Sequence, residues 1–82
     1  MQVTIKYFAS VREAIGLAVE QRETSAATVA ALRDELMALN QNYACLSRLK
    51  AVRTALGQVM CDESAVLTDG CEVAFFPPVT GG

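Results

Sequence analysis

The pair Pro77-Pro78, placed directly after Val73-Ala74-Phe75-Phe76, constrains this chain more than any other feature. Val73 to Phe76 has the apolar, aromatic composition of a β-strand on a pleated, half-buried surface. The prolines end it. Neither has an N–H to give to a ladder, and both hold φ near about −65°. The chain therefore leaves its last strand as a stiff stem, Pro77-Pro78-Val79-Thr80-Gly81-Gly82. At about 3.3 Å per residue, Pro77 to Gly82 reaches at most about 20 Å. Gly81 and Gly82 carry no side chain, so the carboxylate of Gly82 passes where no β-carbon would fit. A terminal Gly-Gly alone reads equally well as a frayed end. An aromatic strand and a double proline leading into it favour a tip that enters another molecule's pocket.

With 82 residues the chain makes one domain, which buries only about 60 % of its unfolded surface. Apolar residues make up 52 %, enough for a core and too many for disorder. Seven basic residues against nine acidic ones give a net charge of −2, and no basic cluster occurs. That pattern excludes a nucleic-acid footprint. No apolar run approaches the ~20 residues of a membrane span, and the N-terminus lacks a signal-peptide pattern. The expected compartment is the cytoplasm, with no membrane partner. Cys45, Cys61 and Cys71 are odd in number and widely spaced, and the chain has no histidine. A zinc site needs about four nitrogen or sulfur ligands, so no metal is expected. The three cysteines read as reduced thiols. Without histidine there is no Ser-His or Cys-His nucleophile, and no catalysis is expected from the isolated chain.

Val3, Ile5 and Tyr7 alternate with Thr4, Lys6 and Phe8, which predicts a first strand over residues 2–9. Phe8 falls on the face opposite Val3 and Ile5, to meet a partner or to be covered by a loop or helix. Ser10-Val11-Arg12-Glu13 has the form of a capping box, with Gly16 as the stop of a short helical turn over 11–15. Leu17 and Val19 alternate with Glu20 and Arg22 in a second strand, residues 17–23, antiparallel to the first. Thr28 is placed to cap the main helix, whose buried stripe is Val29, Leu32, Leu36 and Leu39. Arg33, Asp34 and Glu35 lie off that stripe, and Asn40-Gln41-Asn42 ends the helix. Leu46 and Leu49 suggest a short helical turn, residues 51–58 a strand, Gly57-Gln58 a turn, and residues 59–61 a short strand. Leu67-Thr68-Asp69-Gly70 is a turn signal before the last strand. One main helix packed on one face of a mixed sheet is an α+β arrangement.

The run Asp69-Gly70-Cys71-Glu72-Val73-Ala74-Phe75-Phe76-Pro77-Pro78-Val79-Thr80-Gly81-Gly82 closely resembles the C-terminus of the MoaD family, the small subunits of molybdopterin synthase. Phe8-Ala9-x-x-Arg12-Glu13 matches a second pattern of that family. Specific matches concentrate at these two places, and the element order agrees throughout. Two departures stand out. Leu56-Gly57-Gln58 replaces the family's Val-Asn-Gln turn, and Cys71 replaces an acidic residue in Asp-Gly-Asp-Glu. Glycine takes the positive φ that asparagine tolerates, so the turn is expected to survive. Cys71 removes one charge from a surface that a partner could face.

The resemblance implies a ubiquitin-like β-grasp fold with the first and last strands as a parallel central pair. Residues 1–82 would form one carrier domain with 77–82 as a flexible tail. It implies that an ATP-dependent adenylyltransferase of the ubiquitin-activating type adenylates Gly82, and that a persulfide donor converts it to a thiocarboxylate. Sulfur would then pass to cyclic pyranopterin monophosphate in the large synthase subunit, in an assembly of two small and two large subunits. ATP would be used by the activating enzyme, with no cofactor bound to this chain. Gly82 would carry the sulfur and Gly81 keep the approach narrow, while Pro77, Pro78, Val79 and Thr80 position the tail. Phe8, Arg12, Phe75 and Phe76 would meet partners; of the two last, one points to the core and one to a partner or loop. Two alternatives share the Gly-Gly tip: a sulfur carrier for thiazole synthesis or protein modification, and an interaction module with no sulfur chemistry. The Phe-Phe-Pro-Pro-Val approach favours the first reading.

Overall fold

Strands β1 (Gln2–Tyr7) and β5 (Glu72–Phe76), from opposite ends of the chain, lie side by side and parallel. The structure is a computed structural model, and it describes residues 1–47 and 52–78. Parallel neighbours need a crossover between them. Here α2 (Val29–Met37) provides it, after α1 (Ala9–Ile15) and β2 (Val19–Glu23). A 3₁₀ helix (Gln41–Leu46), β3 (Arg53–Leu56) and β4 (Val59–Cys61) follow, and the sheet order is β2-β1-β5-β3-β4. This is the expected α+β, β-grasp arrangement.

One face of the sheet builds the core. Val3, Ile5 and Tyr7 of β1 and Val73 and Phe75 of β5 pack with Val29, Leu32 and Leu36 of α2. Val11 and Ile15 of α1, with Tyr43 and Leu46, close it. The Phe75 ring stacks on Tyr7 at 6.1 Å between centroids. Thr28 caps α2 as expected, its hydroxyl accepting from the Ala31 amide at 3.2 Å. Gly16 stops α1 in the left-handed region at φ 90°. Gly57 and Gln58 both take positive φ, 58° and 69°, the backbone of a tight hairpin turn. Glycine thus serves where the resemblance places asparagine.

Four expectations are corrected. Ser10 does not cap α1; the N-cap is Phe8, and no side chain caps the helix. Sheet pairing runs to the helix itself, because the Phe8 amide donates to the Phe75 carbonyl at 3.2 Å. The Phe8 carbonyl already accepts from the Val11 and Arg12 amides at 3.1 and 3.2 Å. Ala9 makes the turn with φ 52°, which leaves Ser10 inside the helix.

The phase of β2 is also reversed. Register pairs Val3 with Arg22 and Ile5 with Glu20, so the polar residues share the core face. Val19 is 50 % exposed, and Leu17 precedes the strand. Both polar residues have partners. Glu20 accepts from the hydroxyls of Tyr7 at 2.6 Å and Tyr43 at 2.9 Å, while Arg22 Nε donates to Glu35 at 2.8 Å. Burial, reinforced by Glu20, raises the pKa of both phenols and keeps them as donors.

Arg33 is buried, although the helical stripe places it outside. Its guanidinium donates to the Leu46 carbonyl, to the Ser47 carbonyl at 3.2 Å and to Glu63 at 2.8 Å. Three acceptors compensate the buried charge and tie α2 to the 3₁₀ helix and the loop after β4. Leu39 is the fourth correction: it lies past the end of α2 and is exposed.

The Glu35 carboxylate gives the fold a pH dependence. Burial opposes its charge, but hydrogen bonds from Arg22 and Thr24 and the Arg22 charge outweigh that and hold its pKa below the ordinary 4.5. Its contribution is therefore complete above about pH 4.5 and lost as pH falls through the lower folded value. Glu35→Gln is expected to lower stability at pH 7 by up to about 1 kcal/mol, the range of partly exposed ion pairs. Urea melts from pH 7 into the acid range should show the wild-type advantage shrinking once pH falls below about 4.5. An advantage that stayed constant down to acid unfolding would contradict the ion-pair account.

Candidate functional site at the root of the stem

The stem leaves from the interior of the sheet, not from an edge. β5 is flanked by β1 and β3, and its last residue, Phe76, pairs with Arg53 at the start of β3. On the other side, Phe8 is bonded to the Phe75 carbonyl. The root is thus held from both sides before Pro77 and Pro78, which are half-buried. Val79, Thr80, Gly81 and Gly82 lie outside the described residues.

Alternation along β5 decides between the two phenylalanines. Phe75 is fully buried in the core, so it has no surface to offer a partner. Its expected role in partner binding is corrected. Phe76 lies on the opposite face and is half-buried. Phe8 is 47 % exposed, and Arg12 is exposed on α1 with its amide bonded to the Phe8 carbonyl.

The register exposes a residue that sequence reasoning missed. Val19, Lys6, Ala74, Ala55 and Met60 form one row across all five strands, on the face away from the core. The two alanines keep the middle of that row shallow, while Met60 is 57 % exposed at its β4 end. Phe8, Phe76 and Met60 thus place apolar surface around a shallow centre next to the stem. A Lys6–Glu72 ion pair at 3.2 Å lies on the same face. No sequence signal marks Met60, because a three-residue strand is too short to fix its own phase.

Cys71 precedes β5, at the end of that strand remote from Phe76. The acidic residue it replaces is therefore distant from the stem's root. Cys45, Cys61 and Cys71 are not joined in disulfides. Among the described residues, no group of histidine, cysteine, aspartate or glutamate side chains is arranged to hold a metal ion. What this arrangement offers is a root for the C-terminal stem, fixed between two strands beside the exposed apolar side chains of Phe8 and Met60.

Known proteins agree with this geometry. Residues 5–82 match the ThiS family. The molybdopterin synthase sulfur carrier subunit of Escherichia coli (strain K12) is 38 % identical over 98 % of this chain and 99 % of its own. Its namesake in Haemophilus influenzae is 34 % identical over the same shares of the two chains. Among solved structures, SAMP1 from Haloferax volcanii covers 100 % of both chains at 24 % identity with a TM-score of 0.80. The protein–protein complex of subunits 1 and 2 of molybdopterin-converting factor from Helicobacter pylori 26695 contains a chain of the same fold, with 100 % coverage of both chains, 24 % identity and a TM-score of 0.71. By a family match over nearly all its length and by two full-length relatives of one name, this chain belongs to the ThiS family, alongside the molybdopterin synthase sulfur carrier subunits.

Proposed function

We propose that this chain is the sulfur-carrying small subunit of a molybdopterin synthase, with Gly82 as the residue that bears the sulfur. The observation that carries this reading is the stem: a Pro-Pro-Val-Thr-Gly-Gly run issuing from the central strand, in a chain whose full-length relatives carry that name. A terminal carboxylate has a pKa near about 3.5, so at neutral pH it is ionised and a poor electrophile. It requires activation. An ATP-dependent adenylyltransferase of the ubiquitin-activating type would join it to AMP with loss of pyrophosphate. A persulfide sulfur then attacks the acyl carbon and AMP leaves with the bonding pair, giving an acyl disulfide. A second thiol of the donor attacks the donor's sulfur, the S–S bond breaks, and the thiocarboxylate leaves as the donor closes its own disulfide.

Residues 77–82 act as the stem of a single carrier domain and take that sulfur into the large subunit, where cyclic pyranopterin monophosphate receives it. Phe8, Arg12, Phe76 and Met60 line the face that docks beside the stem. The relative in the Helicobacter pylori complex supports a large-subunit partner. This chain supplies the sulfur donor of a sulfurtransferase, and the acid–base chemistry belongs to the partner. No helix among the described residues is long and apolar enough to cross a membrane, in keeping with the cytoplasmic role proposed here.

The test is intact-mass spectrometry after incubation with ATP, a persulfide donor and the activating enzyme. The expected result is a gain matching one oxygen replaced by sulfur, mapped to Gly82. Adding the large subunit and pyranopterin should then remove the sulfur and yield molybdopterin. A carrier that loads but does not discharge there would serve another pathway. No mass change with an enzyme active on another carrier would overturn the proposal.

A further inference from the structure

Four of the six cationic groups among the described residues are neutralised within the fold. The Met1 amine meets Glu23 at 2.8 Å, Lys6 meets Glu72 at 3.2 Å, Arg22 meets Glu35 at 2.8 Å and Arg33 meets Glu63 at 2.8 Å. Arg12 and Arg53 are the two that have no carboxylate partner among the described residues. Both lie at the stem's root: Arg53 pairs directly with Phe76, and Arg12 is bonded through its amide to Phe8. Arg53 is exposed, and the strand pairing puts it on the face of Phe76, away from the core. The fold makes no visible use of its guanidinium. Two guanidiniums without an ion pair among the described residues thus lie beside the root of the stem, although Asp62 and Glu63 share a concavity with Arg53.

We infer that Arg53 is a docking residue that recognises a carboxylate on the large subunit, at the rim of the pocket that takes the stem. The inference rests on the function proposed above. A guanidinium is matched by its planar fork to a carboxylate or a phosphate, and it is enriched at protein interfaces. Geometry separates those two ligands. Adenylation occurs at Gly82, and a stem extended into a pocket reaches up to about 20 Å from its root. An arginine at the root does not span that distance, so nucleotide phosphates at the tip are beyond it. A protein rim closing around the root is within it. Arg53 would therefore steer and orient docking, taking no part in sulfur chemistry.

The experiment compares the wild type with Arg53→Glu and Arg53→Lys in binding to the large subunit, over a series of salt concentrations. Arg53→Glu is expected to slow association about tenfold at low salt and to flatten the salt dependence. Arg53→Lys keeps the charge and loses the fork, so its loss should be smaller. In turnover, the effect should fall on the KM for the loaded carrier, not on kcat. Unchanged association and salt slope in Arg53→Glu, with a native melting curve, would overturn the inference. So would an effect confined to the KM for ATP in the adenylation step, which would assign Arg53 to phosphate. Failure of the wild type itself to bind the large subunit would overturn the proposed function, and this inference with it.

Discussion

Deletion of Gly82 is expected to abolish thiocarboxylate formation while changing the unfolding free energy by no more than about 0.5 kcal/mol, as for surface changes away from packed elements. The last element of the described fold ends at Phe76, and the core cluster is drawn from residues up to Phe75. The shortened chain still ends in a glycine carboxylate, but the tip is withdrawn by one residue, about 3.3 Å. Misplacing a reacting group by even about 1 Å can cost a hundredfold in rate. The check is the intact-mass assay run beside a urea melt. Retained sulfur loading in the deletion would show that the terminal position is not read. Loss of loading together with loss of folding would show that the stem supports the domain. Either result would contradict a carrier whose fold and tip are independent.

The second large effect separates two adjacent residues. Phe75→Ala is expected to cost about 3–5 kcal/mol, the range for emptying a buried aromatic site. A domain of this size has on the order of 4–12 kcal/mol in total, so this one change removes much of it. The ring lies between sheet and helices and stacks on Tyr7, leaving a void that backbone on both sides resists closing. Phe75→Leu keeps most of the volume and should retain a measurable folded state. Phe76→Ala, one residue on, should cost about 1 kcal/mol or less, because its side is the open face. Its effect should appear instead as weaker binding to the large subunit. Urea melts and binding titrations of the three variants decide the matter. Comparable destabilisation by Phe75→Ala and Phe76→Ala would mean that both faces of β5 are packed.

The contrast between Phe75 and Phe76 also shows how much could be read in advance. The end of the last strand at the prolines, the order of strands and helices, the Thr28 cap, the Gly16 stop and the Gly57-Gln58 turn were all legible in the sequence. Each depends on contacts within a few residues: a missing proline N–H, a hydroxyl three residues from its amide, a positive φ. Such terms act in any context, so sequence alone determined them.

Tertiary structure decided the rest. Glu20 and Arg22 turn inward because Tyr7, Tyr43 and Glu35 wait there, on other elements. Arg33 is buried because Glu63, thirty positions away, and two carbonyls accept from it. Ser10 loses the cap because β5, arriving from the far end of the chain, holds Phe8 in the sheet up to the helix. Arg53 and Met60 reach the stem's face only through the pairing of β3 with β5 and β4. A strand's alternation gives two faces but not which is inside, and a polar side chain can be buried wherever distant partners satisfy it. Both questions are answered only when the strands pair.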